Sequence, residues 1–248
     1  MKRTLLGILA VGFVVLNASN FAKADSLTLV GSQVFSGQGF GTLYNLLDLH
    51  NNGTETGAVA PSSASNLSTL GTNFGGCSGS PVALCGNATN TSDVVTKADL
   101  LALGYTSAST FGLLYNVNQE GNAGELNTYL YAVNPFTVYF YNSSGTLLFS
   151  ASYAGTNDPF PPIDHNGQGT AGYLFTLNGS QFGSNFANIA YIGQSGTVSG
   201  SNDGADGWSV VNPSGGTPVP EPASLFLLGT GLVGIAGMVR KRRKLTKV

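Results

Sequence analysis

The sequence predicts an all-β domain, a sandwich or jelly-roll-like body with one short helix, lying between an N-terminal signal peptide and a single C-terminal transmembrane helix. Three observations predict it. Apolar residues in the body recur with a period of two, as in Phe136-Thr-Val-Tyr-Phe-Tyr141. Glycine supplies 35 of 248 residues, about twice the usual share, which suits a chain that turns often. Both ends carry apolar runs beside cations, whereas the middle is almost free of basic residues.

The N-terminal end has Met1-Lys2-Arg3, an apolar stretch from Leu5 to Leu16, and the small-x-small site Ala22-Lys23-Ala24 before Asp25. Charge, apolar core and cleavage site in that order define a secretory signal peptide over residues 1–24, cut by signal peptidase between Ala24 and Asp25. Between Asp25 and Pro222 the chain has one basic residue, Lys97, and twelve acidic ones, a formal charge of −11. Such a body cannot displace counterions from phosphates, so nucleic acid is excluded as a partner.

The exported domain, residues 25–211, reads as strands joined by turns. Phe136, Val138 and Phe140 share one face, and Thr137, Tyr139 and Tyr141 the other. After Asn142-Ser-Ser-Gly145 the alternation resumes at Leu147, Phe149, Ala151 and Tyr153, so the two runs form a hairpin. Residues 111–117, 126–133 and 173–177 read as further strands, and 26–30 with 33–35 as less marked ones. Residues 54–76 read as a long polar loop. The helix is Thr96-Lys-Ala-Asp-Leu-Leu-Ala-Leu-Gly104, with Thr96 as N-cap, Asp99 as its capping-box partner and Gly104 closing the C-terminus.

Chemistry in the body is sparse. His50 and His165 each lie near an aspartate, but no nucleophile elbow accompanies them. Glu120 with Glu125, or Asp158 with Asp164, would be the carboxylate pairs of a secreted glycan-active hydrolase, the alternative to a non-enzymatic role. No cofactor is expected except calcium, for which Asp203 and Asp206 in Ser201-Asn-Asp-Gly-Ala-Asp-Gly207 are the candidates; ordinary Asn/Asp/Gly turns have the same composition. Tyr129, Tyr131, Tyr139 and Tyr141 form a candidate platform for sugar rings.

The C-terminal end begins with a Pro/Gly linker, residues 212–222, which proline keeps extended and unpaired. Residues 223–239 are 17 uncharged positions, about 25 Å as a helix, a short membrane span. Arg240, Lys241, Arg242, Arg243 and Lys244 open the basic tail, residues 240–248, which stops transfer and stays cytoplasmic. Val219-Pro220-Glu221-Pro222-Ala223-Ser224, the Leu- and Gly-rich span and the basic cluster together resemble the PEP-CTERM sorting signal of exported proteins in Gram-negative bacteria. The resemblance implies recognition of Pro220, Glu221 and Pro222 by an exosortase, a membrane enzyme similar to cysteine transpeptidases. It implies transient inner-membrane anchoring, then release to the cell surface or an extracellular polysaccharide matrix, polysaccharide being the candidate partner. A permanently anchored single-span protein is the other reading of the same tail. Residues 111–155 resemble, more loosely, a segment of some PEP-CTERM ectodomains, which implies no particular activity.

Cys77 and Cys85 are the only cysteines. In an exported chain they predict one disulfide rather than a redox or metal pair, which would want a closer spacing. Replacing both by serine should cost about 2.5 kcal/mol, the chain-entropy value for so short a loop, as measured by urea unfolding of the oxidised and the doubly substituted protein.

Overall fold

The computed structural model describes residues 24–34, 43–51, 53–117, 131–132, 136–153, 158–160, 171–201 and 205–213. In chain order the elements are β1 (Ala24–Val34), β2 (Tyr44–Leu49), β3 (Gly53–Pro61), α1 (Leu67–Asn73), β4 (Cys77–Ser78), β5 (Val82–Gly86), β6 (Val95–Thr96), α2 (Lys97–Ala102), β7 (Gly112–Asn116), β8 (Tyr131–Ala132), β9 (Thr137–Tyr141), β10 (Leu147–Ser152), β11 (Asp158–Pro159), β12 (Ala171–Asn178), α3 (Gln181–Asn185), β13 (Tyr191–Ser201) and β14 (Asp206–Val211).

The chain is mostly β, as its period of two requires, but the strands do not divide into two facing sheets. They form one continuous sheet in the order β2-β14-β7-β12-β1-β10-β9-β13-β3-β5-β4, with β6, β8 and β11 attached to its side. All pairings are antiparallel except β1 with β10. The N-terminal strand β1 therefore sits inside the sheet, between β10 and β12, and bends at a bulge where Gly31 has φ of 136°.

The sheet curls until its ends meet. Residues 87–93, which leave β5, run along the outer edge of β2: the His50 amide donates to Asn87 O at 3.2 Å, Thr89 N to Asp48 O at 2.9 Å, and Asp93 N to Leu46 O at 3.2 Å. Leu49 and Ala88 form a β-bridge in the same run. This pairing leaves β2 no open edge and gives the sheet an inside and an outside.

The inside holds the core. Phe140 and Phe149 stack at 4.3 Å between β9 and β10, and Tyr115 stacks on Trp208 at 4.5 Å between β7 and β14. Trp208 is fully buried, and its ring edge reaches across to β13, where a Cβ at Gly196 would stand 3.6 Å from Trp208 Cη2 and 3.3 Å from Phe136 Cβ. Glycine at 196 leaves that space to the indole. A smaller cluster lies outside the sheet, where α1 covers Ala58, Ala60, Cys85 and Tyr141 through Leu70.

Several expectations change. The stretch 54–76 is not a polar loop: its first part is β3, whose Ala58 and Ala60 are buried beneath α1 while Val59 points to the core, so small residues on both faces hide the alternation. The helix read from Thr96 is present with its capping box, but α1 and α3 accompany it. The hairpin is β9–β10, with Gly145 at φ of 79° in its turn. Of the strand expected over 126–133 only β8 lies within the described residues. No helix among the described residues is long and apolar enough to cross a membrane, and the apolar run 223–239 lies outside them.

Phe140→Ala should cost about 3–5 kcal/mol by removing a fully buried ring from the inner face. Leu101→Ala, on the solvent face of α2, should stay within about 0.5 kcal/mol. Urea midpoints of the two variants check the contrast.

Candidate functional site

Many of the residues singled out by sequence lie outside the described residues: Ala22, Glu120, Glu125, Tyr129, Asp164, His165, Asp203, Pro220, Glu221, Pro222 and the basic run Arg240 to Lys244. His50 is exposed just after β2, and apart from it and the tyrosines those that are described fall in four places. Ala24 and Asp25 start β1, where Asp25 pairs with Ala151 and its Oδ1 accepts from Gln181 Nε2 at 3.3 Å. Cys77 and Cys85 are joined by a disulfide that pins β4 to β5. Asp158 pairs with Ala132 in the β11–β8 ladder. Asp206 opens β14.

Asp206 is not in an exposed turn. It is fully buried and faces inward, opposite Leu49 at the end of β2. Glu55, which the sequence reading passed over, is also fully buried; it lies on the inner face of β3 with Gly57 and Val59, and its Oε1 accepts from the Asn51 amide at 2.8 Å. The two carboxylates thus flank the β2–β3 connection at one end of the sheet's interior. Tyr115, across from Trp208 on β7, sits beside them. Burial holds its hydroxyl well above the ordinary tyrosine range, and the charges of Asp206 and Glu55 push it further. The Tyr115 hydroxyl, Trp208 Nε1 and both ends of the Gln194 amide are buried with no hydrogen-bond partner. A signal for Glu55 was present in Thr54-Glu-Thr-Gly-Ala-Val59: its two-residue spacing from Gly57 and Val59 puts it on the Val59 face.

On the outside, α2, the segment before β13 and the β9–β10 turn enclose an open groove of about 840 Å³, lined by Thr96, Asn142, Ser143, Asn188 and Tyr191 among others. Lys97 edges it, but its ammonium is turned onto Phe186, 3.1 Å from the ring centroid, and donates to the Phe186 carbonyl. Burial lowers the Lys97 pKa. Besides Lys97 the groove's polar lining is amide and hydroxyl, and the rest is aliphatic, from Ala98, Leu148, Ala187, Ile189 and Ala190, with one aromatic side chain, Tyr191. Of the expected tyrosine platform, Tyr129 and the side chain of Tyr131 lie outside what is described; Tyr141 is not available to it, being fully buried under α1 with its hydroxyl donating to Asn66 Oδ1 at 2.9 Å, and Tyr139 is half-buried, bonded to Ser195 Oγ at 3.0 Å. Among the described residues no three His, Cys, Asp or Glu side chains converge as metal ligands.

The body closes at its C-terminal end through Tyr105, whose hydroxyl donates to Val211 O and accepts from Gly112 N at 2.9 Å, and through Asn212, which donates from Nδ2 to Leu103 O at 2.9 Å. Beyond that closure, residues 218–243 match the PEP-CTERM protein-sorting motif. That motif makes the chain an exported protein, anchored transiently in the membrane and sorted by an exosortase system, with the exosortase as its processing partner. No curated protein and no solved structure matches the chain.

Tyr105, Tyr115 and Tyr141 all have hydroxyl pKa values raised by burial. Unfolded tyrosines ionise near about pH 10, so above that pH the unfolded chain sheds protons that the native state keeps. The stability these groups contribute is complete below about pH 10 and is lost as pH rises toward their higher native pKa values. Tyr115→Phe should therefore leave the denaturation midpoint nearly unchanged at neutral pH, since its hydroxyl has no partner to lose, and should flatten the alkaline fall.

Proposed function

We propose that the exported body is a non-enzymatic protein of the cell surface or extracellular matrix that contacts polysaccharide. The observation that carries this reading is the sorting motif at residues 218–243 on a β-rich body with a formal charge of −11. The groove between α2 and the β9–β10 turn supports it: Asn142 and Asn188 offer amide donors and acceptors, Thr96 and Ser143 hydroxyls, and Tyr191 an aromatic surface, the chemistry that sugar hydroxyls and ring faces use. With Lys97 committed to Phe186 and the body acidic, an anionic polymer would be repelled; a neutral polysaccharide is the class that fits.

The sorting part of the proposal includes a signal peptide over residues 1–24, a span over 223–239 and cleavage at Pro220-Glu221-Pro222. In the exporting cell, wild-type protein should be recovered outside as a chain starting near Asp25 and ending near Pro222, whereas Glu221→Ala should stay in the membrane with Val248 still attached. Intact mass with fractionation decides this, and a full-length membrane form for both versions would leave the tail a permanent anchor. For the groove, Asn142→Ala with Asn188→Ala should lower retention on neutral matrix polysaccharide at least about tenfold, the loss of two partly desolvated hydrogen bonds. Retention of wild type should be insensitive to salt.

A further inference from the structure

The groove beside α2 has a narrower chemistry than neutral polymers in general require, and the inference below rests on reading it as a polysaccharide site. Much of its hydrogen-bonding capacity is already used. The Ala190 amide donates to Tyr141 O at 2.8 Å, and the Ala190 carbonyl accepts from Lys97 N at 2.9 Å. Thr96 Oγ1 is held in the capping box, donating to Asp99 Oδ2 at 2.6 Å and accepting from Asp99 N at 3.3 Å. Beside these satisfied groups the wall is aliphatic, with Ala98 and Ala187 exposed and Leu148 half-buried. A polymer whose rings carry only hydroxyls would press some of them against carbon there, and a hydroxyl stripped of water without a partner is costly.

Asn142 supplies the complementary feature. Its Oδ1 accepts from Ser144 N at 3.0 Å, Ser144 Oγ at 2.8 Å and Thr146 N at 2.9 Å, all within the β9–β10 turn. Backbone amides can only donate, so the atom they meet is the oxygen, and the orientation of the side-chain amide is fixed. That leaves Nδ2 as an oriented donor on a residue that lines the groove. A fixed N–H donor near an aliphatic wall is matched by a carbonyl that carries a methyl group. We propose that the groove takes a polysaccharide of N-acetylated amino sugars, the acetamido carbonyl accepting from Asn142 Nδ2 and the acetamido methyl packing on the aliphatic wall. Ser143 and Asn188 remain for ring hydroxyls. The acetamide is uncharged, so the acidic body does not repel it.

The test titrates the exported protein, recovered from the producing cell, with hexamers of β-1,4-linked N-acetylglucosamine and of β-1,4-linked glucose in a calorimeter. The two ligands differ only in the substituent at C2. The N-acetylated hexamer should bind at least about tenfold tighter, from one added hydrogen bond and one packed methyl group. Asn142→Asp keeps Oδ1 for the turn and removes the donor, so it should erase that advantage while the urea midpoint shows the fold intact. Equal affinity for the two hexamers, binding of neither, or an advantage that survives in Asn142→Asp overturns the inference. The wider reading of the groove falls only if retention on neutral matrix polysaccharide is absent. Should Asn142→Asp fail to fold, Ala98→Glu, at an exposed position of α2, makes the same test by crowding the aliphatic wall, and an unchanged preference overturns the inference.

Discussion

The backbone pairing of residues 87–93 along β2 is the constraint on which the rest of the structure depends. A long antiparallel sheet with a free edge has no interior; its apolar face must find another layer or a partner chain. Here the chain leaving β5 returns to the far edge of the same sheet and hydrogen-bonds to it through Asn87, Thr89 and Asp93. Asp48 reinforces the seam from its outer side, taking a hydrogen bond from Thr91 Oγ1 at 2.6 Å while its amide donates to Ser92 Oγ at 2.9 Å. Once the ends are joined, one face of every central strand is dry, and Phe140, Phe149, Phe175, Tyr115 and Trp208 become a core without a second sheet.

Closure also sets the stakes for polar groups inside. In a dry interior a satisfied hydrogen bond is stronger than in water and an unsatisfied group is costlier. Glu55, Asp206, Gln194 and the Tyr115 hydroxyl all face that interior; the Glu55 carboxylate takes a hydrogen bond from the Asn51 amide, whereas the Gln194 amide and the Tyr115 hydroxyl have no hydrogen-bond partner there. The outer face has the opposite economy. Tyr139, Thr137 and Ser152 keep half-wet hydrogen bonds, and only the part beneath α1 is dry enough to bury Tyr141. The groove beside α2 lies on this wetter side, open to solvent and outside the core.

The order of strands bears on export. β1, the first strand of the body, pairs with β10 and β12, so it is placed only when residues up to 178 are present. Such non-local pairing delays closure until most of the chain has emerged, in keeping with a domain that folds after crossing a membrane rather than before. The last strand is fixed by Tyr105 and Asn212, so the described body is finished on the near side of the linker that carries Pro-Glu-Pro.

Particular residues show how far the sequence alone reached. The β character, the β9–β10 hairpin, the capped helix at Thr96 and the sorting motif were legible because each depends on neighbours within a few positions: alternation, a turn, a cap, a linear peptide read by an enzyme. β3 and β13 were not, since Gly, Ala, Ser and Thr fill both their faces and the period vanishes when a strand is covered on two sides. Nor did the sequence show that Tyr141 is buried and Asp206 turned inward, because which face of a strand is dry depends on what the sheet closes against. Local chemistry determined the elements and the address. Curvature and the edge contact of residues 87–93 decided the single sheet, its interior and the burial of Glu55 and Asp206 in it, because those depend on pairings between residues far apart in the chain.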